Sequence, residues 1–191
     1  MVAISKKSSK KKMRKISWES FQKRYLTKED GYKYEWLNGT VEKTKHAMNK
    51  NQFFILKNLT RFFYALDAKS TIKGELIPEG DTFFGKHHRR PDIAFYTDKQ
   101  ISDAQKDLDA VPLFVIEIIS SKDQMNKVHL KMKDYRNAGV KIIWHIFPEL
   151  EEVHVYSNKA TKMQVRTEKD NCSAEPVIKG FKLTVEDIFK K

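Results

Sequence analysis

Glu117 sits in the run Phe114-Val115-Ile116-Glu117-Ile118-Ile119-Ser120, with five apolar residues within three positions of it on either side. Such a run reads as a central strand buried on both faces of a sheet. A carboxylate there is costly unless it is paired, hydrogen-bonded or bound to a metal. The fold of this chain must therefore bring a partner to Glu117.

The residues around that run supply the candidates. Arg90-Pro91-Asp92-Ile93-Ala94-Phe95 opens a neighbouring strand with Asp92 at its entry, 25 residues before Glu117. That spacing holds one strand, a loop and the return. If the two strands pair, the carboxylates converge. Two oxygen ligands with water completing the shell suit a small hard cation such as Mg²⁺, with Mn²⁺ as a substitute, better than zinc. The segment 123–138 has a helical apolar stripe at Val128, Met132 and Tyr135, stopped by Gly139. On that helix Lys131 lies only about 40° round from Tyr135, whereas Lys133 is about 200° away. Lys131 is thus the lysine placed to stabilise charge developing at a phosphate, the alternative being a lysine whose stem packs beside Tyr135.

Elsewhere the periodicity predicts a short helix after Ser17 as N-cap, with Trp18, Phe21 and Tyr25 on one face. Tyr34–Leu37 and Thr40–Lys43 flank Asn38-Gly39, a strong two-residue hairpin signal. An amphipathic helix follows from Met48 to Leu66, with Phe53, Leu56, Leu59, Phe63 and Leu66 as its apolar face. Strands are expected at 71–77, 82–84, 92–96, 112–120 and 140–147, an edge strand at 153–156 and another at 163–166. Residues 98–110 read as a surface loop or weak helix, 167–176 as a loop, and 183–189 as a final helical turn beginning at Thr184. The order implies an α/β or α+β fold with a mixed sheet and a helix on each side. Residues 16–191 are read as a single domain behind a basic, disordered tail, 1–15.

Charge narrows the class of partner. The net charge is +12, and residues 1–15 carry seven basic side chains and no acidic one, leaving 30 against 25 for the rest. A lysine-rich arm binds phosphate without regard to sequence; the alternative is a solvated tail with no partner. Cys172 is the sole cysteine, which excludes an internal disulfide and a cysteine-based zinc cluster and suits a reducing compartment. No apolar run approaches a membrane span, and no apolar stretch follows the N-terminal lysines. The expectation is a soluble, cytoplasmic protein without a membrane partner.

Arg-Pro-Asp-Ile at 90–93, an apolar strand ending Glu-Ile-Ile-Ser at 117–120, then Lys131, Tyr135, Gly139-Val140 and Trp144 together resemble the Uma-type restriction endonucleases, a branch of the PD-(D/E)xK nuclease superfamily. The likeness runs from about Trp18 to Tyr156 and includes Tyr34-Glu35-Trp36-Leu37-Asn38-Gly39. It implies a restriction-endonuclease-like core acting on DNA or another nucleic acid. Asp92 and Glu117 would be metal ligands, the Ile118 carbonyl a third, Lys131 the catalytic lysine and Glu35 an accessory acid. Ile119 stands where the superfamily has its usual lysine, which in this branch has moved to the helix position held by Lys131. Lys127 replaces an aspartate, and Asn51 a histidine, usual in the branch.

Lys86-His87-His88-Arg89-Arg90 precedes Asp92 directly. With Lys127 it reads as a phosphate-contacting strip, Lys86, His88, Arg89 and Arg90 being its members. His46, His145 and His154 read as structural, and His129 as an acid/base candidate. Three readings of the carboxylates stay open: a nuclease site, a buried ion pair serving a non-catalytic nucleic-acid-binding or scaffold protein, and, least favoured, a glycosidase pair. Cutting both strands of a duplex would call for a two-fold homodimer.

Overall fold

The computed structural model describes residues 15–45, 53–70, 72–120, 124–157 and 162–191. The tail up to residue 14, the predicted helix before Phe53, His46 and Asn51 lie outside them. Ser17 caps the first helix, α1 (Trp18–Phe21), by accepting the Ser20 N–H; a π-helical turn, Gln22–Leu26, continues it. The hairpin forms in the predicted register, β1 (Tyr32–Leu37) pairing antiparallel with β2 (Thr40–Lys45) so that Leu37 faces Thr40 across two residues. Asn38 and Gly39 both take positive φ, 46° and 93°, the conformation an Asn-Gly turn supplies at least cost.

Helix α2 (Phe53–Ser70) follows, then β3 (Gly74–Pro78), β4 (Thr82–Phe84), β5 (His87–Arg89) and β6 (Ile93–Thr97). Helix α3 (Asp98–Ala104) starts with a Thr97/Gln100 capping box, so a segment whose composition is ambiguous is helical through its cap. Then come β7 (Phe114–Ile118), α4 (Met125–Ala138), β8 (Ile142–Phe147), β9 (Glu152–Ser157), β10 (Gln164–Thr167), β11 (Asn171–Ser173), β12 (Lys182–Thr184) and α5 (Val185–Phe189). Gly139 ends α4 in the left-handed conformation, φ 100°, and Thr184 caps α5.

The strands make a six-stranded mixed sheet, β10-β9-β8-β7-β6-β3, a four-stranded sheet, β2-β1-β5-β4, and the pair β11-β12. Three local expectations are corrected. The strand at 153–156 is interior, because β10 pairs outside it. The stretch 167–176 contains β11, whose Cys172 is fully buried. Phe53 is exposed, while of its predicted companions Leu59 and Phe63 are buried and Leu56 and Leu66 pack against the core, joined there by Ile55; only the first member of the predicted stripe falls off the buried face.

Alternation along the central strands sorts the two faces of the large sheet. Phe114, Ile116 and Ile118 of β7 join Ile142, Trp144 and Ile146 of β8 beneath α2 and the C-terminal segment. Val115 and Ile143 face the other way, toward Tyr135 and Met132 of α4. Glu117 follows Ile116 and so belongs to the α4 face. Among the described residues no helix is long and apolar enough to cross a membrane.

Candidate active site

Strand register builds the site. β6 and β7 pair antiparallel with Ile93 opposite Ile116, so one step further puts Asp92 opposite Glu117. The Ile118 N–H donates to Asp92 Oδ2 at 2.7 Å, fixing the first carboxylate on the second strand. β7 runs parallel to β8 with Glu117 beside His145, which is 2 % exposed; burial, first, and neighbouring positive charge lower its pKa to about 3, so it is a neutral, structural wall of the site at neutral pH.

Helix α4 closes over this line. Lys131 Nζ lies 2.9 Å from Glu117, 3.3 Å from Glu35 Oε1 and 3.4 Å from the Arg90 carbonyl oxygen. One turn on, the Tyr135 hydroxyl donates to Glu117 Oε1 at 2.7 Å. The helix arithmetic that separates Lys131 from Lys133 holds: Lys133 is exposed. The two readings of Glu117 and of Lys131 meet in this geometry, since the buried partner of the carboxylate is the candidate catalytic lysine itself.

The hairpin seals the third side. Lys33 and Glu35 share one face of β1, and Glu42, opposite Glu35 in register, shares it from β2. Glu35 accepts the Arg90 N–H at 2.8 Å and Arg89 Nη1 at 2.9 Å. Arg89 also reaches Glu42, at 3.2 Å, and Asp134 on α4. Lys33 Nζ lies 3.1 Å from Asp92 Oδ1.

This overturns the reading of residues 86–90 as one exposed strip. Arg89 is 2 % exposed and His88 fully buried. On β5 their side chains alternate, Arg89 into the ion network and His88 into the aromatic packing of Trp18, Phe21 and Phe83. Neither is open to a phosphate. Arg90 is partly buried and ion-paired with Asp81, and Lys86 is exposed in the β4–β5 turn. Lys127 is exposed and stands 3.8 Å from Glu42 at the rim. His129 is exposed and takes no part in the cluster. Sequence reasoning missed Lys33 and the acids Glu42 and Asp134; for Lys33 the signal was its place two residues before Glu35, on the same strand face.

Five carboxylates, Glu35, Glu42, Asp92, Glu117 and Asp134, meet three interior cations, Lys33, Arg89 and Lys131. Among the described residues no group of three or more His, Cys, Asp or Glu is arranged to hold a metal ion. Where β6 begins and β7 ends, the acidic side chains brought together are Asp92 and Glu117.

Burial and charge act differently on each acid. Burial works against ionised Glu35, yet Lys131, Arg89 and Lys33 outweigh it and hold its pKa at about 2. Burial also opposes ionised Asp92, but Lys33, Lys131 and the Ile118 N–H lower its pKa on balance. At Glu117 burial prevails, with Asp92 adding to it against the pull of Lys131, and the pKa rises. For Lys131 the surrounding carboxylates overcome burial and raise it.

The signs give a pH profile. Glu35 and Asp92, depressed in the folded state, contribute stability that is present above their unfolded pKa values and lost as the pH falls through the folded ones. For Glu35 that window runs from about 4.5 down to about 2, and its share is on the order of 3 kcal/mol. Glu117 acts oppositely, contributing at low pH and losing that contribution as the pH rises through its elevated folded value. Acid unfolding followed by circular dichroism should therefore show its main loss between about pH 4.5 and 2, and Glu35→Gln should flatten that limb. An unchanged limb would place Glu35 outside the charge network.

The Uma2 family model, described as "Putative restriction endonuclease", matches residues 18–186. Among solved structures, one described as a "putative nuclease belonging to DUF820" from Anabaena variabilis superposes with a TM-score of 0.76 at 20 % identity, covering 91 % of this chain and 97 % of that one; the likeness is one of fold. No curated protein matches. With the family model spanning nearly the whole chain and the restriction-endonuclease-like α/β architecture in place, this protein belongs to the Uma2 family.

Proposed function

We propose that this protein is a metal-dependent nuclease hydrolysing phosphodiester bonds in DNA. One observation carries the reading: strand register sets Asp92 opposite Glu117 at the start of β6 and the end of β7, so that two carboxylates converge at one point beneath α4. A network serving stability alone gains little from being this charged, because buried ion pairs are weak stabilisers next to apolar packing. Family membership points the same way.

The donor set fits Mg²⁺, or Mn²⁺ in its place: two carboxylates and the backbone carbonyl of Ile118, all hard oxygens, among acids that outnumber the interior cations. When bound, such an ion supplies Lewis-acid charge at the phosphate and acidifies a water. The chain's own groups do the rest. Tyr135 orients Glu117 through Oε1. Lys131, anchored by Glu117, Glu35 and the Arg90 carbonyl, offers positive charge where the phosphate becomes more negative. Glu35 positions Lys131 and is spent on Arg89, which gives it a supporting rather than a ligand role. Lys86, Arg90 and Lys127 remain the backbone contacts, and a homodimer would supply the second cut. The reading places this chemistry in the cytoplasm.

A specific observation favours the second reading, a nucleic-acid-binding protein that no longer turns over: the Lys131 ammonium already satisfies Glu117, and Lys127 stands where the branch has an aspartate. Supercoiled and linear DNA incubated with Mg²⁺ or Mn²⁺ at low salt, wild type beside Glu117→Ala, separates the two. Metal-dependent cleavage by the wild type alone is the expected result. Binding without cleavage by either protein would select the second reading.

A further inference from the structure

The hairpin brings a second lysine into the site. Lys33 Nζ is 3.1 Å from Asp92 Oδ1, while Asp92 Oδ2 takes the Ile118 N–H at 2.7 Å. Both carboxylate oxygens are thus engaged, but by unlike partners. The Ile118 N–H belongs to the β7 backbone and is fixed with it; the Lys33 ammonium ends a flexible four-carbon stem. Among the described residues that ammonium has one hydrogen-bond acceptor, whereas Lys131 has Glu117, Glu35 and a backbone carbonyl. Of the two lysines, Lys33 is the one that can be displaced.

Exposure supports the same assignment. The Asp92 side chain is 25 % exposed, against 6–7 % for Glu35 and Glu117. A cation entering from solvent reaches the Asp92 edge first, and the oxygen not tied to the backbone is the one Lys33 holds. We propose that Lys33 is the resident counter-ion of Asp92: it competes with the divalent cation for Oδ1 and, once displaced, turns its ammonium to a non-bridging oxygen of the substrate phosphate. The inference rests on the nuclease reading. It makes Lys33 a brake on metal binding and an aid to cleavage, two effects of opposite sign. A purely structural lysine would move both the same way, because loosening the carboxylate pair weakens metal binding and turnover together.

The test uses the full chain and Mn²⁺ as probe, with calorimetric titration for affinity and single-turnover cleavage of a DNA duplex at saturating Mn²⁺ for rate. Lys33→Met is expected to bind Mn²⁺ about tenfold more tightly, about 1.4 kcal/mol, and to cleave about a hundredfold more slowly. Lys33→Arg, which keeps the charge, should return both toward the wild type. Lys33→Gln is read in the same way if circular dichroism shows that Lys33→Met has not folded. An Mn²⁺ affinity unchanged or weakened in the neutral variants overturns the Lys33 assignment. If the wild type binds Mn²⁺ through Asp92, as judged by loss in Asp92→Asn, and cleaves, that failure touches Lys33 alone. A wild type that neither binds nor cleaves removes the nuclease reading and the Lys33 role together.

Discussion

Lys131→Ala is expected to lower single-turnover DNA cleavage by about a thousandfold while DNA binding changes little, the size of effect seen when one preorganised donor to a developing anion is lost. Lys131 is the point where α4, β1 and β7 meet: its ammonium contacts Glu117, Glu35 and the Arg90 carbonyl. On the nuclease reading, removing it takes away the charge offered to the phosphate; in any reading it leaves two buried carboxylates, Glu117 and Glu35, short of a counter-charge. Those effects have different signatures. The catalytic one persists at any pH at which the protein is folded; the electrostatic one lifts the pKa of both acids and moves the pH profile of the residual activity upward, since the ionised form of Glu117 is then reached only at higher pH. Lys131→Met is the control, because it keeps the stem beside Tyr135 and discards only the charge. Equal losses in the two variants assign the effect to the ammonium. Wild-type rates in either would exclude Lys131 from the chemistry.

Arg89→Met should be the most damaging change to the fold. The guanidinium is 2 % exposed and bonds to Glu35, Glu42 and Asp134, joining β5 to both strands of the hairpin and to helix α4. Deleting one member of a buried charge group leaves the others uncompensated, at a cost of roughly 3–5 kcal/mol. In a chain of this size that lowers the melting temperature by roughly 10 °C, and in urea it should move the midpoint with little change in slope. Arg89→Lys should recover only part of the loss, because an ammonium cannot span three acids as a planar fork does. A shift below about 1 kcal/mol would show that these pairs behave as surface ion pairs do.

The same residue shows where sequence reading stops. In the string Lys-His-His-Arg-Arg five basic side chains look equivalent, and adjacency suggests one exposed strip. On a strand they alternate, and what each side meets is decided by elements far away in sequence: Asp134 is 45 residues on and Glu35 is 54 residues back. Lys33 escaped notice for a related reason, since a lysine on a hairpin strand is usually solvated and only docking of the hairpin over Asp92 brings it inside. β11 was hidden because three residues carry too little period to register, and its pairing with β12 is a tertiary event.

Local chemistry settled the rest. Asn38-Gly39 determined the hairpin register, Gly139 the end of α4, and Ser17 and Thr184 two helix starts, because turns and caps depend on residues within a few positions of one another. The apolar run around Glu117 required a central strand and a partner for its carboxylate, and the helical period put Lys131 rather than Lys133 beside the sheet-facing stripe, whereas the pairing of Lys131 with Glu117 came from the docking of α4. Only the tertiary structure decided that Asp92 faces Glu117 in register, that Arg89 is an interior strut and that Lys33 pairs with Asp92. Burial and ion pairing are properties of distances between elements, and no single segment contains those distances.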